Sequence, residues 1–202
     1  MALDSTYAGL QESIAGWLHR ADLTSRIPDL IALGETRIYR EVLARSMETA
    51  FSDTISSGVI ALPTDYIELK YAYVATNPTQ VLKRNAARWI HEKYPHRVGY
   101  GEPRYIAREG TNFIFGPYPD SEYTISGYYY KNLGLVSATA HALFTDNQDL
   151  YMWAALAEAE PYIKNDKRVM LWESKYNAIK DAVNGQAERE DYSGSDLQMT
   201  PG

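Results

Sequence analysis

Residues 59–74 read VIALPTDYIELKYAYV and residues 101–130 read GEPRYIAREGTNFIFGPYPDSEYTISGYYY, and these two stretches decide the fold. In both, apolar and aromatic residues alternate with polar ones, which is typical of strands with one buried face. Pro63 interrupts the first stretch because proline cannot donate a hydrogen bond within a central strand. Gly110 favours a hairpin turn, since glycine adopts a positive φ easily. We therefore predict strands at 66–75, 104–108, 112–115 and 122–131.

The two ends of the chain have the period of amphipathic helices. Apolar residues recur every three or four positions over about 5–20, 28–45, 146–164 and 167–186. We predict an extended arm or a hairpin for residues 47–62 and a short helix for residues 85–94. The predicted fold class is therefore α+β, mainly α: a helical bundle from the N- and C-terminal helices with a small antiparallel β-sheet inserted at about 47–131. We expect residues 1–186 to form a single domain.

The composition changes at Ala187. Residues 187–202 read AEREDYSGSDLQMTPG, with four acidic residues, one basic residue and little apolar content. Such a segment buries too little surface to fold alone, so we predict a flexible C-terminal tail that orders on a partner. Its spaced apolar residues Tyr192, Leu197 and Met199 are the candidate anchors; an inert terminus is the alternative.

Tyrosine is the unusual component of the composition. The chain has 202 residues, of which 45% are hydrophobic, and this content excludes a disordered protein. Its 17 tyrosines stand against only 4 phenylalanines. Tyrosine supplies contact area together with a polar tip, so the excess favours interaction surfaces. The alternative is that half-exposed strands simply favour tyrosine.

Charge and cysteine content exclude several classes of protein. The net charge of −6, from 20 basic and 26 acidic residues, argues against binding driven by phosphate neutralisation. The absence of cysteine excludes disulfides and thiolate sites. No apolar run approaches the length of a membrane span, and the N-terminus lacks a secretion signal. We expect a soluble protein synthesised in a cytoplasm and without membrane contact.

No motif for catalysis or cofactor binding is apparent. The four histidines (His19, His91, His96 and His141) lack the spacing of metal ligands, although His91 and His96 lie five positions apart across a helix end. Glu158 and Glu160 face different sides of a helix, whereas acid/base catalysis needs a paired geometry. No nucleophile elbow or nucleotide-binding loop is present. We predict no catalytic residue, cofactor or metal, and hence no enzyme.

The order of five segments resembles one family. WLHRADL is followed by RIPDLIALGETRIYREVLARSMET, ALPTDYIELKYAYV, GEPRYIAREGTNFIFGPYPDSEYTISGYYYKNL and DLYMWAALAEAEPYIKNDKRVMLWESKY. This order, over about residues 5–180, is similar to that of the head-to-tail adaptor (connector) proteins of tailed bacteriophages, particularly the short-tailed type. Each segment alone is a weak signal, and their order along nearly the whole chain carries the resemblance.

The resemblance implies a structural protein of the virion neck and tail, made in the host cytoplasm. Such adaptors form a ring, commonly of twelve copies, that docks onto the portal protein and extends the DNA channel. The ring offers an attachment surface to tail and nozzle proteins, and DNA passes through its lumen without sequence-specific binding. Heterologous contacts between identical subunits close into rings, which agrees with this expectation.

Two sets of residues are the candidate contact sites. The acidic tail is expected to dock onto the portal through Tyr192, Leu197 and Met199. The subunit interface is predicted to use strand tyrosines and a basic cluster that pairs with acidic residues of a neighbouring copy. These residues are Tyr66, Tyr71, Tyr105, Tyr128, Tyr130, Lys83, Arg84 and Arg88.

Two other functions remain open at this point. A virion-associated cell-wall hydrolase would require a carboxylate pair in a cleft. A glycan- or receptor-binding tail module would use exposed tyrosines of the sheet.

Overall fold

A computed structural model describes residues 5–55, 57–95, 99–163 and 167–192, without the side chains at 160, 161 and 190–192. The chain forms two compact units. The sheet unit is Glu48–Asn132, and the helical unit is built from the chain before and after it. The helices are α1 Tyr7–Leu18, α2 Ile27–Glu41, α3 Ala87–Lys93, α4 Ala142–Asp146, α5 Gln148–Ala157, α6 Glu160–Ile163 and α7 Arg168–Tyr192. The strands are β1 Glu48–Thr54, β2 Val59–Ala61, β3 Tyr66–Val74, β4 Gln80–Val81, β5 Lys83–Arg84, β6 Tyr105–Glu109, β7 Asn112–Gly116 and β8 Thr124–Lys131.

Helix α5 is the centre of the helical unit and packs against α1, α2 and α7. Its side chains from Leu150 to Leu156 are buried, apart from the half-buried Trp153. Helix α1 is started by Thr6, whose Oγ1 accepts a hydrogen bond from the N–H of Gly9 at 3.0 Å. Helix α2 has Pro28 in its first turn, where the missing N–H costs no hydrogen bond.

Helices α2 and α5 approach so closely that only glycine fits at position 34. A Cβ on Gly34 would lie 2.9 Å from the backbone nitrogen of Ala155 and 3.1 Å from the Cβ of Ala154. Small residues on both helices therefore set the distance between them, because a larger side chain on either one would force them apart.

Polar contacts from Arg37 and Glu41 join α2 to α7. The Arg37 guanidinium donates two hydrogen bonds to Glu173, one of them 2.8 Å long, and lies 4.3 Å from the ring centroid of Tyr176. The Glu41 carboxylate accepts a hydrogen bond from the Tyr176 hydroxyl at 3.2 Å. Through these bonds, Arg37 lowers the pKa of Glu173 below its usual range. We call these four side chains the Arg37 network.

Asn184 extends this attachment to the end of α2. Its Nδ2 donates to the carbonyl oxygen of Glu41 at 2.9 Å, and its Oδ1 accepts from the N–H of Leu43 at 3.0 Å. The amide therefore satisfies two backbone groups that the end of a helix leaves unpaired.

The sheet unit consists of two four-stranded sheets. Sheet A has the strand order β1-β8-β3-β4, and sheet B has the order β2-β7-β6-β5. Their facing sides share one hydrophobic core, which includes Leu69 and Ile125 from sheet A and Ile106 and Phe113 from sheet B. Helix α3 covers the other side of sheet B, where Ile90 packs against Ala107 and Ile114.

The predicted fold class, a terminal helical bundle carrying one small antiparallel sheet, is wrong. The middle of the chain forms two sheets of four strands with a core of their own, and it also contains helix α3. Strands β5 and β6 are parallel. A parallel pair needs a crossover connection, and α3 lies on that connection. Periodicity shows which residues of a strand share a face but not which strand lies beside it.

Local predictions had mixed outcomes. The β6–β7 hairpin turns at Gly110, which has φ of 58°, as predicted. The hairpin considered for residues 47–62 is wrong, because β1 pairs with β8 and β2 with β7. Helix α7 continues to Tyr192 and so includes the first residues of the segment that we predict to be a tail.

Replacing Gly34 with alanine is expected to destabilise the helical unit, because the new Cβ would meet backbone atoms of α5. Overpacking of this kind costs about 1–3 kcal/mol, which outweighs the gain in helix propensity. The matched control is Gly185→Ala in α7, where a Cβ meets nothing within 4 Å. That variant should be more stable by about 0.5–1 kcal/mol. Urea unfolding measures both, and a Gly34→Ala protein as stable as Gly185→Ala would contradict this packing.

Replacing Glu173 with glutamine is expected to lower the free energy of unfolding at pH 7 by about 0.5–1 kcal/mol, because the pair is partly exposed and screened. The folded-state pKa of Glu173 is lowered, so its contribution is fully present above the unfolded pKa of about 4.3 and is lost as the pH falls through the folded value. Urea unfolding of both proteins across acidic pH checks this.

The control for this comparison is Glu12→Gln, on an exposed part of α1. Its effect should be small at every pH. A Glu173→Gln deficit that stays constant below the folded pKa of Glu173 would show that the Arg37 network does not depend on the charge of this carboxylate.

Candidate interaction surface

The outer face of sheet A is an uncharged surface built by strand register. One row crosses all four strands: Ser52 lies opposite Ser126, which lies opposite Tyr73, which lies opposite Val81. The hydroxyls of Ser52 and Ser126 are 2.9 Å apart, which places both on the same side. We call this surface the hydroxyl face; it comprises Ala50, Ser52, Thr54, Tyr71, Tyr73, Val81, Thr124, Ser126 and Tyr128.

Large side chains on the hydroxyl face are exposed to solvent. Val81 is 61% exposed, Tyr71 46% and Tyr128 40%. The rings of Tyr71 and Tyr128 lie beside each other with centroids 5.5 Å apart. An exposed valine and two exposed tyrosines on a face without charge are typical of protein interfaces, since tyrosine is enriched there and charge is depleted.

A neutralised ion pair bounds this face at one end. Lys70 Nζ donates to Glu48 Oε1 at 2.7 Å, and both side chains are largely buried. Lys70 also lies 5.9 Å from the ring centroid of Tyr130, which is only 8% exposed. This end of the face therefore has no net charge.

The structure brings together only Tyr71 and Tyr128 among the tyrosines predicted for the subunit interface. Tyr66 lies between the two sheets, with its ring centroid 5.4 Å from that of Phe113 and 5.8 Å from that of Tyr129. Tyr130 is buried. Contact of Tyr71 and Tyr128 with a second copy stays a prediction.

Tyr105 lies on the α3 side of sheet B, beside Trp89 and Lys93. Its ring centroid is 4.6 Å from that of Trp89 and 4.5 Å from Lys93 Nζ, which also donates to its hydroxyl at 3.2 Å. This hydrogen bond lowers the pKa of Tyr105. Tyr105 thus serves to attach α3 to the sheet, a role that periodicity alone does not reveal.

The predicted basic cluster is spread over two elements. Lys83 and Arg84 lie on β5, and Arg88 lies on α3. Arg84 pairs with Glu68 at 2.8 Å and Arg88 with Glu92 at 2.7 Å, so two of the three cations have acidic partners within the chain.

The candidate portal anchors are only partly within the described residues. Tyr192 is the last residue of α7. Leu197 and Met199 lie outside the described residues, so their role stays a prediction.

Val81 and the serine and threonine residues of β1 and β8 on the hydroxyl face were not among the residues predicted for the subunit interface. The sequence did contain a signal for these residues, because hydroxyl side chains occur at alternate positions of both segments. They are Ser52 and Thr54 in one segment and Thr124 and Ser126 in the other. Alternation alone does not show that two segments more than seventy residues apart in sequence lie side by side.

Several of the titratable side chains considered for catalysis have structural partners, and the side chain of Glu160 lies outside the described residues. Glu158 lies 3.7 Å from Arg37, and His91 Nε2 lies 2.8 Å from Glu109 Oε1; His96 is outside the described residues. The buried Glu35 accepts the N–H of Val136 at 2.7 Å, and burial raises its pKa. Over the described ranges, no three His, Asp or Glu side chains are arranged to hold a metal ion. No described helix is long and apolar enough to cross a membrane.

The uncharged hydroxyl face is the candidate interaction surface, and the polar contacts described above serve packing. In a comparison with models of known protein families, the model of the family described as "SU10 adaptor protein" matches residues 5–199. Because this match covers nearly the whole chain, the protein belongs to the SU10 adaptor protein family. The expected relationship to bacteriophage head-to-tail adaptors is thereby confirmed, and the protein is a structural adaptor of the virion neck. No curated protein matches the chain.

Proposed function

We propose that the protein is a subunit of an adaptor ring, with twelve copies, that docks onto the portal and extends the DNA channel of a short-tailed phage. The ring then provides the surface to which tail and nozzle proteins attach. The observation that carries this proposal is the hydroxyl face: an uncharged sheet surface with Val81, Tyr71 and Tyr128 exposed.

The distribution of charge supports contact between copies through the sheet unit. Residues 48–132 contain nine basic and nine acidic side chains, so the whole net charge of −6 resides in the rest of the chain. Like-charged surfaces repel when two copies approach. A neutral unit carrying an uncharged face therefore offers a contact with little electrostatic cost. A face that binds a different surface of the next copy generates a ring when the rotation closes.

The same distribution supports a channel through which DNA passes freely. The helical unit has 11 basic and 17 acidic side chains, and the sheet unit has no net charge. Tight, salt-sensitive binding to DNA requires a strongly basic surface. A ring of such subunits would let DNA move through it without sequence-specific binding.

The test is to mix the purified protein with portal rings of the same phage and to measure the mass of the complex by native mass spectrometry. The proposal expects a small free protein and a complex with twelve copies per portal ring. No association of the unmodified protein with the portal would show that the proposed docking is wrong. That result would favour the two alternative functions. A turbidity assay on peptidoglycan tests for a cell-wall hydrolase, and an assay of binding to host cells tests for a glycan- or receptor-binding module.

Within that experiment, Tyr71→Glu is expected to reduce assembly by at least about tenfold, because it places a charge in the contact. The matched control is Tyr100→Glu. Tyr100 is 68% exposed and also lies 5.5 Å from another tyrosine ring, but it is not on the hydroxyl face. Equal assembly of the two variants would exclude the hydroxyl face from the subunit contact.

Deleting residues 193–202 tests the portal-binding tail. The deletion begins directly after Tyr192 and leaves all of α7 in place. The shortened chain is therefore expected to keep the circular dichroism and thermal unfolding of the full chain. Its affinity for the portal ring should fall by at least about tenfold, since the anchors Leu197 and Met199 are removed. A shortened chain that binds the portal as tightly as the full chain would show that these anchors are not used. Leu197→Ser with Met199→Ser separates loss of the anchors from loss of length.

A further inference from the structure

The sheet unit has a groove between β3 and β6, away from the hydroxyl face. Two adjoining cavities form it, and they share Tyr66 and Arg108. The inner cavity, of about 110 Å³, also contacts Glu68, Arg84 and Phe113. The outer cavity, of about 380 Å³, is lined in addition by Leu62, Pro63, Thr64, Thr111 and Asn112. We call the two together the arginine groove.

Arg108 lies at the junction of the two cavities and is held in place there. Its guanidinium carbon is 5.6 Å from the ring centroid of Tyr66, and its Nε donates to the carbonyl oxygen of Gly110 at 3.3 Å. Within the described ranges, no carboxylate lies within ion-pair distance of Arg108. The guanidinium edge therefore keeps donors available for a ligand, in the planar fork that suits a carboxylate.

The surroundings of Arg108 are positively charged overall. Arg84 pairs with Glu68 at 2.8 Å and also donates to the carbonyl oxygen of Leu69 at 3.1 Å. Among the side chains that line the groove, Glu68 balances one of the two arginines, so the lining keeps an excess of one positive charge.

The outer cavity adds a different chemistry. Leu62 and Pro63 are apolar lining residues, while the side chains of Thr111 and Asn112, next to them across the β2–β7 pairing, supply hydrogen-bonding groups. A small anion would contact Arg108 and leave this cavity unused. An extended peptide would place a carboxylate on Arg108, an apolar side chain on Leu62 and Pro63, and its backbone near the polar groups.

We propose that the arginine groove is a docking site for an extended acidic segment of a partner protein. Charge complementarity favours this occupant: the groove lining has one more positive than negative side chain, and Arg108 lies beside the apolar residues Leu62 and Pro63. The proposal does not depend on portal docking or on ring formation, because the site lies within one subunit and can be measured on the free protein.

The test is an NMR titration of the isotope-labelled full chain with the peptide acetyl-Gly-Glu-Leu-Glu-Gly-amide. The proposal expects saturable shifts of the backbone amides of Leu62, Thr64, Arg108, Thr111 and Asn112 at millimolar peptide. The same peptide with glutamine in place of glutamate should bind at least about tenfold more weakly, since Arg108 then loses its charged partner. Raising the salt concentration should weaken the glutamate peptide more than the glutamine peptide.

Arg108→Met should abolish these shifts while its stem continues to cover Tyr66, and Arg108→Lys should weaken them by losing the two-point contact. Arg88→Met is the matched control, because Arg88 is an exposed arginine on α3 whose loss should leave binding unchanged. Circular dichroism of each variant checks its fold.

Four results would overturn the proposal: equal binding of both peptides, unchanged binding by Arg108→Met, shifts at other residues, or no saturable shift. Acetate alone giving the same shifts would identify a small-anion site instead. Shifts of the same amides on raising the protein concentration without peptide would identify a second copy as the occupant.

Discussion

The helical unit depends on α5, against which α1, α2 and α7 all pack, and the attachment of α7 to α2 completes this arrangement. Helix α7 has 25 residues, but of its described side chains only those of Trp172 and Tyr176 are buried. Packing on α5 at these positions and at half-buried ones such as Val169, Ile179 and Val183 is not directional. The Arg37 network and Asn184 supply the rest, because they join α7 to α2 by directional hydrogen bonds spread over three turns. Since α2 precedes the sheet unit and α7 follows it, these bonds also bring distant parts of the chain together.

Tyrosine has several roles in this protein, which changes the meaning of its abundance. Tyr129 lies inside the sheet unit and donates to Asp65 at 2.9 Å; burial and this carboxylate raise its pKa to about 12. Tyr105 attaches α3, and Tyr176 belongs to the Arg37 network. Only Tyr71 and Tyr128 combine exposure with a place on the hydroxyl face. The high tyrosine count therefore reflects packing inside the protein as well as exposed surface, and the burial of each side chain separates the two.

Membership of the SU10 adaptor family fits the division of the chain into two units of different charge. The sheet unit carries the uncharged hydroxyl face and, on another side, the arginine groove. The helical unit carries the net negative charge and the long helix that leads toward the acidic C-terminal residues. The proposed adaptor ring would need contacts with copies of the chain and with other proteins at once. Separate surfaces with different chemistry allow such contacts without competition between them.

The sequence by itself determined the features that depend on neighbouring residues. Pro28 at the start of α2, the turn at Gly110 and the alternation in β3 are local signals, because turn geometry and periodicity act within a few residues. The order of segments also indicated the adaptor family. What only the tertiary structure decided is which elements lie side by side. The pairing of β1 with β8, the parallel β5–β6 pair and the position of Arg108 over the Tyr66 ring depend on residues distant in the chain. Alternation is equally compatible with many partner strands, and packing of the whole unit selects one of them.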